Sequence, residues 1–342
     1  MSAAADAAPL LIVGPSWVGD MVMAQSLCQL LHADNPHRPL DIIAPPWSLP
    51  IVARMPHVRQ GIGLDVKHGE AGLRVRRNLG HALRKQGYAR AIVLPRSAKA
   101  ALVPWHANIP QRSGFRGEFR FGLINDMRVF DKTLLDQTVK RFAALAPATQ
   151  QPLPAQLPHP VLHIDSAARE QLLVDFALSA TTPIVGLLPG AEYGPAKCWP
   201  LPHFAAVARS LIAAGVQVCV FGGPKDRNAG AAIVAAAPGA HNLVGETTLA
   251  DVVDLLSACT AVVSNDSGLM HVAAAVGTHV VAVYGSSSPA FTPPLTDTAD
   301  IHTLNLSCSP CFERNCPLGH LDCLNNIAPQ AVLASVNAAL SG

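Results

Sequence analysis

Two turns that join a predicted strand to a predicted helix carry a charged side chain beside glycines. The first spans residues 14–20, GPSWVGD, and follows the apolar run Leu10–Val13. Gly14 and Gly19 allow a tight bend and let a ligand approach the backbone closely. Asp20 falls near the start of a helix, where it can serve a ligand or simply cap the helix. The turn has neither the Walker lysine of a P-loop nor the G-x-G-x-x-G pattern of dinucleotide sites.

The second turn spans residues 189–200, PGAEYGPAKCWP, and also follows a strand candidate. Gly190 and Gly194 open this loop, and Lys197 is one of only six basic residues beyond position 150. A lone cation beside a glycine loop suits a phosphate group. The alternative is an ordinary surface lysine, but the neighbouring glycines favour the phosphate interpretation.

A third strand-to-helix turn, NDSGLMH, predicts a diphosphate site. Asp266 and Ser267 are good N-cap residues, and Gly268 leaves backbone N–H groups exposed at a helix N-terminus that favours anions. His271, one turn into the helix, can donate to the same anion or can be a packed helix residue. Asp226, at the end of the segment FGGPKD, suits the hydroxyl groups of a ribose.

Strands and helices alternate along the chain, which predicts parallel α/β sheets. The strand candidates are Leu10–Val13, Leu40–Ala44, Ala91–Leu94, Pro183–Leu188, Val216–Phe221, Ala261–Ser264 and His279–Tyr284. The helix candidates are Met21–Leu31, Phe204–Ala214, Leu269–Ala275 and a closing helix, Gln330–Leu340. Five prolines within residues 147–160 predict a linker between two α/β halves. Ligands of such sheets bind beyond the carboxyl ends of the strands, so two facing halves would share one cleft.

The composition excludes disordered and membrane-spanning classes. The chain has 342 residues, 50% of them hydrophobic and 14% charged, with a mean hydropathy of +0.28. The longest charge-free run, residues 267–296, is interrupted by glycines and prolines, so it predicts a short helix, a strand and a loop rather than a membrane span. The N-terminal MSAAADAAP lacks the basic start of a signal peptide, which predicts a cytoplasmic protein.

Charge is divided unevenly between the halves. Residues 1–150 contain 19 Lys and Arg against 10 Asp and Glu, whereas residues 151–342 contain 6 against 13. A strongly basic half predicts an anionic partner. The alternative is that the two halves attract each other across a cleft.

Four of the eight cysteines are clustered near the C-terminus and predict a structural zinc site. The clustered residues are Cys308, Cys311, Cys316 and Cys323, with His320 between the last two. Zinc takes four thiolate or imidazole ligands, and C-x2-C is its usual half-site. Free thiols and disulfides are the alternatives, the second disfavoured by a reducing compartment. The remaining cysteines, Cys28, Cys198, Cys219 and Cys259, are scattered and are expected to be small buried hydrophobes.

Several segments together resemble glycosyltransferase family 9, and within it the branch that adds the second heptose of a lipopolysaccharide core. The segments are LLIVGPSWVGDMVMAQSL, LPRSAKAALVPWHANIPQRSGFRGEFRFG, PGAEYGPAKCWP, FGGPKD, SNDSGLMHVAAA and YGSSSPAFTPPL. The resemblance covers about residues 10–340. It implies a GT-B fold of two Rossmann-like domains facing a central cleft: an acceptor-binding domain over residues 1–155, an ADP-heptose-binding domain over 156–328, and a closing helix over 329–342.

The resemblance also implies the reaction. A heptose, L-glycero-D-manno-heptose, would pass from ADP-heptose to the first heptose of the inner core with inversion at the anomeric carbon. Asp20 matches the family's proposed base. Lys197 and the segment Asp266–His271 match its donor-binding loops. The fold normally needs no metal for catalysis, because the lysine and the helix dipole take that role.

The resemblance also implies which residues bind the donor and the acceptor, and it assigns the acceptor to the basic half. The donor would contact Gly190, Lys197, Asp226, Asp266, Ser267, Gly268 and His271. The anionic acceptor would contact the cations that follow the third predicted strand, Arg96, Lys99, Arg116 and Arg120. A second basic group, at Arg74, Arg76, Arg77, Arg84 and Lys85, would face the anionic cytoplasmic leaflet of the inner membrane, or would be a solvated helix face.

Two alternatives remain at this point. One is another transferase of the same family, such as the enzyme that adds the first heptose. The other, from a different class, is a nucleotide- or nucleic-acid-binding module that uses the basic half and a zinc finger. That second alternative leaves two glycine-rich halves with similar Asp-containing loops unexplained.

Overall fold

The computed structural model describes residues 8–67 and 69–341, and these form two compact units, Met1–Pro160 and Val161–Gly342. Most of the N-terminal segment on which the signal-peptide prediction rests lies outside the described residues. The proline-rich stretch 147–160 contains no helix or strand, as the proline density predicts. The boundary between the units falls at the end of this stretch.

The first unit contains a six-stranded parallel sheet in the order β3-β2-β1-β4-β5-β6. Its strands are β1 (Leu10–Val13), β2 (Leu40–Ala44), β3 (Val58–Gly63), β4 (Arg90–Val93), β5 (Gln111–Phe115) and β6 (Asp126–Arg128). Its helices are α1 (Val18–Asp34), α2 (Leu49–Ala53), α3 (Leu73–Leu83), α4 (Leu102–His106) and α5 (Thr138–Ala143). Leu10 of β1 pairs in parallel register with Leu40 of β2 and Arg90 of β4, so three buried strands form the centre of the sheet.

The second unit contains another six-stranded parallel sheet, in the order β12-β11-β10-β7-β8-β9. Its strands are β7 (Ile184–Leu188), β8 (Gln217–Val220), β9 (His241–Asn242), β10 (Ala261–Asn265), β11 (His279–Val283) and β12 (Ala299–His302). Its helices are α6 (Ser166–Asp175), α7 (Leu201–Ala213), α8 (Arg227–Ala236), α9 (Leu249–Ser257), α10 (Gly268–Ala275), α11 (Asp322–Asn325) and α12 (Pro329–Ser341). The two sheets confirm the predicted parallel α/β architecture.

The core of the second unit contains the predicted closing helix. The fully buried rings of Trp199 and Phe204 pack with strands β7, β8 and β10 in one cluster that also includes Val332 and Val336 of α12. Trp199 is locked in place by two hydrogen bonds, since its backbone N–H donates to Asn265 Oδ1 (2.9 Å) and its ring Nε1–H to the Ile327 carbonyl (3.1 Å). The α12 helix is therefore an integral part of this unit.

The charge-free run 267–296 folds as α10, β11 and a loop, as predicted. Among residues 8–67 and 69–341, no helix combines the length and the apolar character needed to cross a bilayer.

Candidate active site

The carboxyl end of β1 leads directly to Asp20. The α1 helix begins at Val18, with Trp17 at the N-cap position, so Asp20 lies in the first helical turn. This helix packs against α5. The pKa of Arg141 in α5 is lowered, mainly by burial and also by the nearby charge of Arg96. The carboxylates of Asp136 and Asp20 oppose this shift. Asp20 therefore has a cationic neighbour that was not expected from the sequence.

Phe130 holds two cations in the same region. The Arg96 guanidinium lies 4.7 Å from the centre of the Phe130 ring, and the Arg141 guanidinium lies 5.2 Å from it. The ring in turn packs edge-on against Phe115 at the end of β5, with centres 5.3 Å apart. Cations are attracted to an aromatic face. The arrangement gathers positive charge in the unit that carries Asp20.

Three of the four predicted acceptor cations are at least partly accessible. Arg96 and Arg116 are exposed, and the Nε–H of Arg96 donates to the Arg116 carbonyl (3.2 Å), which joins the loops after β4 and β5. Lys99 is half-buried and donates to the Glu70 carbonyl (3.1 Å). The Arg116 guanidinium lies 6.0 Å from the exposed ring of Phe121.

The fourth predicted acceptor cation, Arg120, is only 1% exposed. Its guanidinium donates to the carbonyls of Pro95 (2.7 Å) and Phe115, and burial lowers its pKa to about 10. The Pro95 carbonyl follows β4 and the Phe115 carbonyl ends β5, so Arg120 links the loops that follow these two strands. Contact between Arg120 and an acceptor stays a prediction; in this structure the guanidinium donates to the protein's own carbonyls beside the loop that carries Arg116.

In the second unit, Lys197 and Asp266 form a close ion pair. Lys197 ends a short helical turn, Pro195–Lys197, that follows β7, and Asp266 follows β10. The Lys197 Nζ lies 2.5 Å from Asp266 Oδ2, and the Asp266 carboxylate is only 5% exposed. Both residues are predicted from the sequence to lie at the donor, whereas their pairing is not. The lysine is therefore pre-positioned at the helix start, and it is not a free surface side chain.

The N-terminus of α10 is capped by Ser267, whose hydroxyl accepts from the Met270 N–H (3.4 Å). Of the two predicted caps, the serine thus takes the role, and Asp266 is turned toward the lysine. His271 is buried, and burial lowers its pKa to about 4. The imidazole is therefore neutral at physiological pH and can donate only one N–H.

Gly190 and Asp226 are in direct contact at the ends of β7 and β8. A Cβ atom at Gly190 would lie 2.7 Å from both carboxylate oxygens of Asp226, so only glycine allows this approach. Asp226 Oδ2 accepts from the Gly223 N–H (2.9 Å), and burial raises the pKa of the carboxyl group. The structure thus brings the seven predicted donor residues into two local groups. One contains Lys197, Asp266 and the helix start with Ser267, Gly268 and His271, and the other contains Gly190 and Asp226.

The model of glycosyltransferase family 9, the heptosyltransferases, matches residues 76–322. The chain belongs to glycosyltransferase family 9. It is 46% identical to lipopolysaccharide heptosyltransferase 2 of Escherichia coli over 97% of this chain and 98% of that protein. It is 45% identical to lipooligosaccharide heptosyltransferase 2 of Haemophilus influenzae over 85% and 87% of the two chains.

A solved structure of a family 9 enzyme shows the same fold. The structure of E. coli ADP-heptose lipopolysaccharide heptosyltransferase II matches with a TM-score of 0.87 and 44% identity, covering 97% of this chain and 98% of the other. The predicted GT-B class is thereby confirmed, and the chain is a glycosyltransferase. Membership of an enzyme family argues against the alternative of a binding module in place of an enzyme.

The predicted zinc site is not supported. Within the part of the chain that the structure describes, no group of three or more His, Cys, Asp or Glu side chains is arranged to hold a metal ion. Cys308, Cys311 and Cys316 are half-buried in a loop, whereas Cys323 is buried on α11, and all four are free thiols. The C-x2-C spacing was thus a poor guide to ligand geometry in this loop.

Proposed function

We propose that this family 9 enzyme transfers L-glycero-D-manno-heptose from ADP-heptose to the first heptose of the lipopolysaccharide inner core, with inversion at the anomeric carbon. The proposal is supported by the two heptosyltransferase 2 relatives and by the paired Lys197 and Asp266 at the start of α10. A lysine that a buried carboxylate holds beside a helix N-terminus places a cation where a diphosphate can bind.

The second unit would hold the donor. The N–H groups at the start of α10, after Ser267 and around Gly268, point at the diphosphate, and neutral His271 donates its single N–H. Lys197 supplies the cation that stabilises the departing ADP, whose negative charge grows as the bond to the anomeric carbon breaks. Asp226 accepts from the ribose hydroxyls, and Gly190 leaves room for the Asp226 carboxylate.

The first unit would hold the acceptor and the base. Asp20 takes the proton of the acceptor hydroxyl while the oxygen of that hydroxyl attacks the anomeric carbon on the face opposite ADP, which inverts the configuration. The nearby cations Arg96 and Arg141 attract the anionic acceptor, together with Lys99 and Arg116. Arg120 contributes indirectly, by fixing the loop that carries Arg116.

Charge reversal at Arg116 is expected to weaken acceptor use selectively. Because Arg116 is exposed and belongs to the other unit from the donor residues, Arg116→Glu should raise the acceptor KM about tenfold and leave ADP binding unchanged. Lys85→Glu is the matched control: it makes the same charge change in the same unit, but Lys85 precedes β4, whereas Arg116 follows β5. Steady-state kinetics with a water-soluble core oligosaccharide measures both variants. Weakened ADP binding in Arg116→Glu would instead place the donor in the first unit.

A transferase that adds the first heptose is the alternative within the family. The two activities differ in their acceptor, since one requires a core with no heptose and the other a core with one. Parallel assays with both acceptors and a single donor separate them. The relatives named above favour the activity that requires a core with one heptose.

We further propose that the basic face of α3 contacts the anionic cytoplasmic surface of the inner membrane, where a lipid-linked acceptor would lie. Residues 71–117 contain no Asp or Glu. On α3, the apolar side chains of Leu73 (62% exposed) and Val75 (43% exposed) stand beside exposed Arg74 and Arg77. Arg76 does not belong to this face, because it is buried and donates to the Ala71 carbonyl.

The double variant Arg74→Glu/Arg77→Glu should bind anionic vesicles at least about tenfold more weakly, because each basic residue near such a surface contributes about 1 kcal/mol. Co-sedimentation with phosphatidylglycerol-containing vesicles measures the loss, and vesicles of neutral lipid serve as the control. Equal binding of the variant and the unaltered protein to anionic vesicles would show that α3 is only a solvated helix face.

A further inference from the structure

A cavity of about 440 Å³ lies in the first unit, lined by residues from the end of α3, from α4 and from the start of β5. We call it the amino-edge cavity and define it by its lining residues, Arg84, Trp105, His106, Asn108 and Arg112. Its volume falls within the range of about 300–1,000 Å³ that is typical of small-molecule sites. Two guanidinium groups, an imidazole and an indole therefore meet in a space large enough for a ligand.

The amino-edge cavity lies at the opposite edge of the sheet from the predicted acceptor cations. Arg112 is the second residue of β5, and it pairs with Ala91, the second residue of β4. Arg96 and Arg116 follow the carboxyl ends of the same two strands. Because the strands are parallel, their amino ends share one edge of the sheet and their carboxyl ends share the other. The cavity is therefore separate from the residues proposed to bind the acceptor.

Arg112 is held in a fixed orientation by backbone carbonyl groups. Its guanidinium donates to the carbonyls of Leu123 (2.7 Å), Ile109 (2.5 Å) and Gly122 (3.1 Å). A guanidinium has five N–H groups, so these three bonds leave two N–H groups for a ligand. Carbonyl groups carry no net charge, and the positive charge of Arg112 is therefore positioned at the cavity without being neutralised.

Arg84 supplies a second cation to the amino-edge cavity. Its Nε–H donates to the His106 carbonyl (2.8 Å), and its two Nη groups have no hydrogen-bond partner among residues 8–67 and 69–341. The side chain is exposed and begins the short helical turn Arg84–Gln86 that follows α3. A planar guanidinium can donate to two oxygens of one phosphate group. Arg84 can therefore contact a ligand without breaking a hydrogen bond within the protein.

The rings of Trp105 and His106 form the α4 side of the cavity. They pack edge-on with centres 4.7 Å apart, and His106 packs in the same way against His81 of α3, at 5.6 Å. A Cβ atom at Gly80 would lie 2.5 Å from the His106 Cβ, so α3 and α4 are in close contact at this point. Trp105 is 45% exposed, and part of its ring is open to the carbon atoms of a ligand.

The surroundings of the amino-edge cavity are cationic. Residues 71–117 contain no Asp or Glu, and both guanidinium groups donate to carbonyls rather than to carboxylates. Burial lowers the pKa of His106, and the nearby His81 and Arg77 lower it further. A ligand with negative charge would therefore be attracted to this cavity.

We propose that the amino-edge cavity binds a phosphate monoester. The guanidinium groups of Arg84 and Arg112 donate to the phosphate oxygens. The imidazole of His106 donates one further N–H, and the organic part of the ester packs on Trp105. A monoester suits the cavity better than a diester, because it carries about 1.5–2 negative charges at neutral pH and keeps three oxygens free to accept hydrogen bonds.

Two sources present this chemistry: a soluble phosphate ester, and the head group of phosphatidic acid in a membrane. The second source would place the cavity at the membrane together with the basic face of α3, because Arg84 directly follows that helix. The proposal rests neither on the transfer reaction nor on the membrane contact proposed for α3. The two sources are distinguished by two assays, one with a soluble ester and one with vesicles.

The first assay is calorimetry of the full chain with sn-glycerol 3-phosphate. Arg84→Ala should raise the Kd at least about tenfold, because it removes a charge-assisted contact. Lys85→Ala is the matched control: it removes the same charge at the next residue, which does not line the cavity, and the Kd should stay within about twofold because exposed charges are screened by salt. Trp105→Ala should raise the Kd about threefold. Arg112 is left unchanged, since its replacement would also free three carbonyl groups.

The second assay is co-sedimentation with vesicles that contain either phosphatidic acid or phosphatidylglycerol, matched in zeta potential. The unaltered protein and Lys85→Ala should bind phosphatidic acid at least about threefold more tightly, whereas Arg84→Ala should bind both vesicles equally. Binding of the soluble ester that depends on Arg84 supports the proposal with a free ligand. A preference for phosphatidic acid that depends on Arg84, without binding of the soluble ester, supports it with a lipid head group.

Two results would overturn the inference. The first is that Arg84→Ala is indistinguishable from the unaltered protein in both assays, which would show that the cavity binds no phosphate monoester. The second is that Lys85→Ala loses as much binding as Arg84→Ala. In that case only the general positive charge of this surface would attract phosphate, and the cavity would not be a defined site.

Discussion

Replacing Asp20 by Asn should lower kcat by about 10²–10⁴-fold. Asn has nearly the same size and keeps a hydrogen-bonding oxygen, so the first turn of α1 and its packing against α5 should persist. The amide cannot take a proton from the acceptor hydroxyl, and the attacking oxygen would then develop a positive charge that nothing relieves. The measurement is turnover with ADP-heptose and a core acceptor carrying one heptose.

Two controls separate a lost base from a damaged helix. The Tm of Asp20→Asn should stay within about 2 °C of the unaltered protein, and its ADP Kd should not change, because the donor residues belong to the other unit. Asp34→Asn makes the same substitution at the exposed end of α1 and should keep normal turnover. A near-normal kcat in Asp20→Asn would show that Asp20 is not the base and only stabilises the start of the helix.

Replacing Lys197 by Ala should weaken ADP binding and transfer by about 1.5–3 kcal/mol, which is about 10- to 150-fold. The lysine would otherwise contact the diphosphate with a charge-assisted hydrogen bond that becomes stronger as ADP leaves. Calorimetry with ADP measures the ground-state part of the effect, and single-turnover kinetics measures the rest. An unchanged ADP Kd would eliminate the ground-state contact.

The single variant has a second consequence, because it leaves the buried Asp266 carboxylate without its cation. The double variant Lys197→Ala/Asp266→Asn distinguishes the two causes. If Lys197 contacts the diphosphate, the double variant should remain as weak as Lys197→Ala. If Lys197 only neutralises Asp266, the double variant should recover most of its ADP affinity, and the proposed role of the lysine in the reaction would be contradicted.

The central strands could be predicted from the sequence because they are buried on both faces. Leu40–Ala44 was predicted with the observed ends, and Leu10–Val13 likewise, since each is a short apolar run between turn residues. The strands that were missed lie toward the sheet edges: β3, β5 and β6 in the first sheet, and β9 and β12 in the second. Their sequences contain polar residues such as Arg, Gln, Asp, Asn and His, which carry little of the apolar signal used for prediction.

Individual site residues could be proposed from their types, but not their pairing. Whether Lys197 meets Asp266 depends on the order β10-β7, which places two loops side by side that are 69 residues apart in the chain. The burial of Arg120 depends in the same way on carbonyl groups at the ends of β4 and β5. Arg141 was missed because nothing in the sequence near α5 distinguishes it from a solvated arginine.

The proposed transfer is tested by incubating the purified chain with ADP-heptose and two core acceptors, one with a single heptose and one with none. We expect that only the first acceptor gains a heptose, that one ADP is released for each heptose transferred, and that the new linkage has the anomeric configuration opposite to that of the donor. Transfer only to the acceptor that carries no heptose, or a product that retains the donor's configuration, would contradict the proposed function.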